Sequence, residues 1–376
     1  MRHPVCSVTA LGLLLAPLPS GCGSDAAPAS ADAAVEDATP VEDGRGDATP
    51  AEDAAEDDDT NTVTDDAAQP EDAGAAEDAA TASDTASTED AATASDTDST
   101  EDAATASDVT QEVPDPRLEG PWSVTREDLD VDGFDAALFV PTSSAPVPAV
   151  VLAPGFQLDG SAFAGTARHL ASHGVAVLVP TFGDTLLSPI SHATLAEGVS
   201  AMIDRLASDP RFDAARLGAG GHSRGGKVAL LAATSDGRIR ASFNLDPVDA
   251  VGPFSAPSPA NPSVTPELMA ALTIPLGLVG SSRGGETAFP GSPACAPTAD
   301  NYAAYASAAP SAPFVAVPPE SGHNDFADPL PPLLRLACKA GDDPAAVRTA
   351  ARGWMTAFYR LHLVGDTAYA SWLVAP

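Results

Sequence analysis

One serine in this sequence stands where its hydroxyl could be made to attack a carbonyl. Gly221-His222-Ser223-Arg224-Gly225-Gly226 follows the apolar run Leu217-Gly218-Ala219 and precedes Val228-Ala229-Leu230-Leu231. Strand, sharp turn and helix in that order make a nucleophile elbow, and so tight a turn admits only small residues around the serine, which Gly221 and Gly225 provide. The turn lifts the Ser223 hydroxyl over the sheet edge, where the helix N-terminus and the backbone N–H of Arg224 can stabilise a developing oxyanion. The second oxyanion donor is expected from the loop after Val150-Val151-Leu152-Ala153, which continues Pro154-Gly155-Phe156; the backbone N–H of Phe156 is the group it would offer. A Gly-x-Ser-x-Gly string also arises by chance in a chain with 30 glycines. Its place between a strand and a helix is what separates this one from chance.

A serine hydroxyl is a poor nucleophile until a neutral imidazole takes its proton, and elbow enzymes carry the acid and then the histidine downstream of the serine. Only His323 and His362 follow the acid candidates. His362 lies among Leu361, Leu363 and Val364, the setting of a packed or surface histidine. His323, in Glu320-Ser321-Gly322-His323-Asn324-Asp325-Phe326, follows the last apolar run on a loop and is the expected base. His3, His169, His173, His192 and His222 precede the serine and read as structural, surface or leader residues.

Three carboxylates compete for the acid. Glu286 follows the run 274–279, the common place for this group, but behind the flexible Gly284-Gly285. Asp246, in Phe243-Asn244-Leu245-Asp246-Pro247-Val248-Asp249, ends an apolar run directly, at the edge where sites of open α/β sheets form. Pro247 restricts the turn behind it. Asp249, three residues further on, is expected to be a solvated surface carboxylate.

The elements that must hold these groups alternate. Short apolar runs at 134–140, 149–153, 175–179, 217–219, 239–245, 274–279 and 314–317 read as strands. Amphipathic segments at 161–172, 193–207, 225–233, 299–308 and 345–363 read as helices between them. That alternation predicts a mostly parallel sheet flanked by helices, and with the elbow it predicts the α/β-hydrolase fold. A Pro/Ser-rich insertion, 252–266, is expected to be a lid or disordered.

Composition divides the chain. From Asp25 to Asp115 there are 29 Asp and Glu against one basic residue, Arg45, and no aromatic residue. Such a stretch has nothing to bury. Thr-Ala-Ser-Asp recurs there at 81, 93 and 105 without an apolar stripe, so it reads as a self-repelling, extended tether and not as a solenoid. From Arg117 onward the balance is 24 acidic to 16 basic, net −8 of the formal −35. A mildly acidic domain without a Lys/Arg cluster argues against nucleic-acid binding.

At the front, Arg2 and His3 precede an apolar run from Val8 to Ala16 that is too short to span a bilayer. Residues 1–21 therefore read as an export signal. Leu18-Pro19-Ser20-Gly21-Cys22 resembles the lipobox of bacterial lipoproteins, in which Cys22 would be lipidated; the alternative is ordinary cleavage and secretion. The expected organisation is a signal at 1–21, a disordered acidic linker at 22–116 and a catalytic domain at 117–376. Cys6 leaves with the signal, so Cys295 and Cys338 remain in the exported domain, where a disulfide between them is expected.

The motifs also share an order with a known family. Gly221-His222-Ser223-Arg224-Gly225-Gly226-Lys227, Leu245-Asp246-Pro247-Val248-Asp249, Cys295-Ala296-Pro297 and Gly322-His323 resemble the motifs of chlorophyllases and their bacterial relatives, and Ala171-Ser172-His173-Gly174 fits as well. In that family, as in the similar platelet-activating-factor acetylhydrolases, the acid follows the earlier strand, which implies Asp246. The resemblance implies ester hydrolysis without cofactor or metal. Phe156 keeps the aromatic of the family's His-Gly-Phe, while Pro154 replaces its histidine, a departure that bears on substrate. The expectation is an exported serine carboxylesterase acting on a small or lipid-like ester through Ser223, His323 and Asp246, tied to the cell envelope by a lipid anchor. The alternatives are an interfacial lipase or polyester hydrolase, and a surface protein that keeps the fold without chemistry.

Overall fold

The computed structural model describes residues 113–251 and 256–374. The expected signal, Cys22 and the acidic linker up to residue 112 lie outside the described residues, as does part of the insertion.

The sheet is built outward from its most apolar segment. Strand β3 (Val147–Ala153) is buried along its whole length. It pairs in parallel with both β4 (Ala176–Thr181) and β5 (Phe212–His222). A parallel strand covered on both faces carries a continuous apolar run, which is how 149–153 reads in the sequence. Beyond β5, strands β6 (Ile239–Leu245), β7 (Leu276–Val279) and β8 (Phe314–Ala316) add on in parallel. On the other side β2 (Phe134–Pro141) runs antiparallel to β4, and β1 (Val124–Val131) antiparallel to β2. The order is β1-β2-β4-β3-β5-β6-β7-β8.

Strand β1 was not anticipated. Its sequence VTREDLDV has no apolar run because it is an edge strand with most side chains in solvent. Its pairing to β2, and not two-sided burial, defines it.

Alternation along the strands divides the core. Val150 and Leu152 of β3, with Val177 and Val179 of β4, face one layer, where they meet Leu170 of α1 (Ala164–Ser172) and Met355 and Phe358 of α7 (Pro344–Tyr359). Val151 of β3 and Leu178 of β4 face the other, against Leu195, Val199 and Met202 of α2 (His192–Ala207) and Val228 of α3 (Arg224–Ser235). Side chains two apart share a face, so each strand supplies both layers. Each fully buried Leu, Val or Phe contributes about 1.5–3 kcal/mol relative to exposure.

Helix ends follow local chemistry. The Ser191 side chain accepts from the Thr194 amide ahead of α2, and the Asp343 side chain from Ala345 and Ala346 ahead of α7, whose first residue is Pro344. The segment 299–308 becomes the shorter α5 (Tyr302–Ala308), capped by Asn301. Two short helices, α4 (Glu267–Ala270) and α6 (Pro332–Ala337), are below the length at which periodicity can be read.

The insertion differs from the expected lid or disordered loop over the part described. The Ala260 carbonyl accepts from the Ala193 amide at 2.9 Å, and Asn261 Oδ1 from the His192 amide at 2.9 Å. Val264 is fully buried. These contacts fasten residues 256–266 to the start of α2.

Candidate active site

Ser223 sits between β5 and α3 with φ 56° and ψ −126°, a conformation that L residues hold only where their surroundings enforce it. The surroundings are crowded. A Cβ at Gly221 would lie 2.5 Å from the Gly225 carbonyl carbon, and one at Gly225 would lie 2.2 Å from the Ala153 carbonyl oxygen. No other residue type fits at either position. The Ser223 amide donates to the Leu245 carbonyl at 3.0 Å, which ties the elbow to the end of β6.

Three residues far apart in the chain meet here. His323 opens the 3-10 turn His323–Phe326 after β8. Its Nε2 lies 2.9 Å from Ser223 Oγ and its Nδ1 2.7 Å from Asp246 Oδ2. An anionic carboxylate can only accept, so Nδ1 carries the proton and Nε2 presents its lone pair to the hydroxyl. Asp246 is fully buried, at positive φ, immediately after β6. Ser281, just past β7, donates its amide to Asp246 Oδ1 at 3.0 Å and its hydroxyl to Oδ2. The loop where such an acid often stands thus supplies donors to Asp246.

The competing carboxylates do not reach His323. Glu286 is exposed on its loop. Asp249 is buried, which corrects the expectation of a solvated side chain. Its carboxylate accepts from the amides of Val264 and Thr265 at 2.9 Å each, from the hydroxyls of Ser263 and Thr265, and faces Lys227 Nζ at 3.2 Å. Burial pushes the Asp249 carboxyl up, but the hydrogen bonds from Ser263, Val264 and Thr265 and the Lys227 charge outweigh it, and the net shift is downward. Lys227 is itself fully buried, and desolvation lowers it. The reason a surface site was expected is plain: the donors belong to the Pro-rich insertion, whose folding back does not show in local sequence. His362 is exposed on the helical turn Arg360–Val364 that follows α7, with its ring 4.6 Å from that of Phe358.

The loops after β7 and β8 are held as one body. Ser282 and Ser321 exchange amide-to-hydroxyl bonds at 3.0 and 2.9 Å, and the Arg283 amide donates to the Ser321 carbonyl. Cys295 and Cys338 form a disulfide with Cα atoms 5.6 Å apart, joining the same two regions. Beside His323, Asn324 Nδ2 donates to the Leu334 carbonyl at 2.9 Å, and the Asp325 carboxylate accepts from the amides of Gly322 and Gly341. Burial raises the Asp325 carboxyl, against the pull of those two amides. His222 Nε2 donates to the His323 carbonyl at 2.8 Å, and burial pushes His222 down to about 3, so this imidazole is neutral.

The loop after β3 closes the other side. A Cβ at Gly155 would lie 3.2 Å from Ser223 Cβ, so the chain passes directly beside the serine. The Phe156 ring lies against the Arg224 guanidinium, 4.9 Å from its carbon to the ring centroid. Arg224 forms a buried two-pronged ion pair with Asp184, on the loop after β4. Asp184 and Ser281 are not marked by any local motif in the sequence, because each meets the site through a partner distant in the chain; Lys227 belongs to the elbow motif, but its pairing with Asp249 does not show there.

An eight-stranded, mostly parallel sheet flanked by helices, with an elbow serine after β5 and a histidine after β8, defines an α/β hydrolase. Within that class the chain belongs to the chlorophyllase family, whose profile matches residues 134–375. It is 25% identical to Chlorophyllase-2 of Arabidopsis thaliana over 243 residues, covering 60% of this chain and 76% of the relative. It is 27% identical to Chlorophyllase-1 of the same plant over 275 residues, 67% of this chain and 83% of the relative. A shorter match, 36% over 137 residues, is to bis(hydroxyethyl) terephthalate hydrolase of Streptomyces coelicolor and spans 35% of this chain and 44% of that protein. The family is one of carboxylic ester hydrolases.

Proposed function

We propose that the protein is a serine carboxylesterase in which Ser223 is the nucleophile, His323 the base and Asp246 the acid. The observation that carries the reading is the continuous hydrogen-bonded line from Ser223 Oγ through His323 to Asp246, with distances of 2.9 and 2.7 Å. His323 Nε2 takes the hydroxyl proton as Oγ bonds to the ester carbonyl carbon. Asp246 holds the Nδ1 proton and offsets the imidazolium charge without itself becoming protonated. The carbonyl oxygen becomes an oxyanion facing the backbone N–H groups of Phe156 and Arg224. As the tetrahedral adduct collapses, Nε2 returns the proton to the departing alkoxide and an acyl-Ser223 remains. Water, deprotonated by the same nitrogen, attacks the acyl carbon; the acid leaves and Ser223 regains its proton.

Substrates are carboxylic esters with apolar parts, the chemistry shared by the substrates in the relatives' names, chlorophyll and bis(hydroxyethyl) terephthalate. A second reading, action on an ester surface, is favoured by one observation. Leu186 and Leu187 after β4, Phe289 after β7, and Leu333 and Leu336 of α6 are each more than half exposed. They stand on segments that follow the carboxyl ends of the strands, as the site does. Turnover that rises sharply when a short-chain ester passes its solubility limit supports surface action; saturation below that limit supports the soluble esterase.

Export as an envelope-anchored lipoprotein, with Cys22 as the lipidated mature N-terminus and the acidic stretch as a spacer, belongs to the same proposal. It is supported by the sequence pattern and by a disulfide suited to an oxidising compartment. Intact mass of the membrane fraction tests it, and recovery only of soluble, unlipidated protein refutes it.

A fluorophosphonate probe should label Ser223, and Ser223→Ala should lose roughly 10⁴-fold or more in turnover with the fold intact. A tenth of wild-type turnover in that variant would sink the assignment, and failure of the probe to label would favour a surface protein without chemistry.

A further inference from the structure

The proposed reaction needs two amides, of Phe156 and Arg224, aimed at one oxygen, yet one lies on the loop after β3 and the other opens α3, with no hydrogen bond between the two residues among the described residues. The strands that carry them pair as far as Ala153 and Gly221 and the glycines beyond pack backbone to backbone, while the two amide-bearing residues themselves are linked through their side chains. The Arg224 guanidinium carbon lies over the Phe156 ring, 4.9 Å from its centroid. Its Nη1 and Nη2 both donate to Asp184, with Nη2 to Oδ1 at 3.0 Å. Both charged residues are buried. A planar fork gripped by both oxygens of a carboxylate is held against rotation, and the ring beneath the cation is held to it by cation–π attraction. The side chains of the two amide-bearing residues therefore form one stack, with the loop after β4 as its anchor.

We propose that Asp184 is a positioning residue for the oxyanion hole: by locking Arg224 against Phe156 it fixes the spacing of the two backbone N–H groups. The proposal rests on those amides being the oxyanion donors. Asp184 touches neither Ser223 nor His323, and its effect passes wholly through Arg224. An oxyanion hole acts by being in place before charge develops, so loosening it lowers the rate of acylation and leaves ground-state binding alone.

The test compares Asp184→Asn, Asp184→Glu and the double variant Asp184→Leu with Arg224→Met on one soluble nitrophenyl ester. A trifluoromethyl ketone, which forms a hemiketal oxyanion on the serine, serves as the probe of the tetrahedral state. The double variant removes both charges and leaves neither buried alone, so it stays folded even where a single loss of charge does not. Removing one oxyanion donor typically costs about 10²–10³ in turnover, and misplacing one should cost less. The expected result for Asp184→Asn and the double variant is a fall of roughly 10- to 100-fold in kcat and a similar weakening of the ketone, with KM nearly constant. Asp184→Glu, which keeps the carboxylate, should recover part of both. Folded variants with kcat and ketone affinity within about twofold of wild type overturn the proposal. So does a fall in kcat with ketone affinity unchanged, because the defect then lies outside the hole. Ser223→Ala, run alongside, separates the two failures: if it stays active the whole site reading is lost, and if it is dead while the Asp184 variants are normal only the positioning role is lost.

Discussion

Two buried carboxylates stand three residues apart after β6, and their surroundings give them different work. Asp246 takes both donors of Ser281 and still presents Oδ2 to His323. Asp249 is saturated by the chain around it, with two amides and two hydroxyls from 263–265 and the buried Lys227 beside it. A carboxylate filled by rigid donors from its own neighbourhood is a clamp. One that keeps an oxygen for an imidazole, and is itself held still, can orient a base. Burial alone does not distinguish them.

The comparison is sharpest when each carboxylate is removed. Asp246→Asn should lower turnover on the order of 10³ to 10⁴ with little change in melting temperature, by analogy with other triads. Glu286→Gln should change it little, since that side chain is in solvent. A reversed result on one substrate would place the acid after β7. Asp249→Ala should do the opposite of Asp246→Asn: leaving Lys227 buried without a counter-charge destabilises by about 3–5 kcal/mol, while the turnover of the folded fraction stays near wild type. If Asp249→Ala instead abolishes turnover without loss of stability in urea, the two roles are exchanged.

Reducing the Cys295–Cys338 bond tests a smaller term. Closing a loop across 43 residues stabilises by about 3 to 4 kcal/mol through the lost entropy of the unfolded chain. Urea midpoints with and without reductant measure it. Two free thiols in the oxidised, purified protein would count against the bond.

The smallest effect per residue comes from pH. His169 and His192 are pushed down to about 4 and His222 to about 3, chiefly by burial, from an ordinary 6.5. Folding keeps them neutral and unfolding lets them take protons. Their contribution is therefore complete above pH 6.5 and is lost as pH falls toward the folded values. Each adds a slope of up to about 1.4 kcal/mol per pH unit in that window. Denaturant titrations at pH 7.5 and 5 should show the loss, and replacing His192 with Gln should reduce the slope. A slope unchanged by that substitution would mean His192 is protonated in the fold.

Much of this arrangement is legible in the chain. The central strands read as apolar runs because parallel strands are covered on both faces, and the elbow reads as glycines because nothing larger fits beside Ser223. Ser223, His323 and Asp246, singled out by strand ends and chain order, are brought together, with His323 within hydrogen-bonding distance of both the others. Edge strand β1 did not register because solvent covers it and no pattern is demanded. Asp249 read as a surface group because its partners arrive from a Pro-rich loop. Asp184 and Ser281 act on residues 35 or more positions away in the chain, and pairings of that kind leave no trace in spacing.

The two borders of the sheet have a consequence for the protein in concentrated solution. A strand at a border offers unpaired amides and carbonyls that can template another chain. Here one border is β1, with Thr125, Arg126, Glu127 and Asp128 all exposed, and the other is β8, three residues long. A second copy pairing along the first border would have to crowd and partly desolvate the exposed charged side chains of Arg126, Glu127 and Asp128, and at the other it would find too short a strand to follow. A charged border and a three-residue border both disfavour edge-to-edge growth, so the exposed leucines and Phe289 stand outside the core on a sheet whose edges are poor templates.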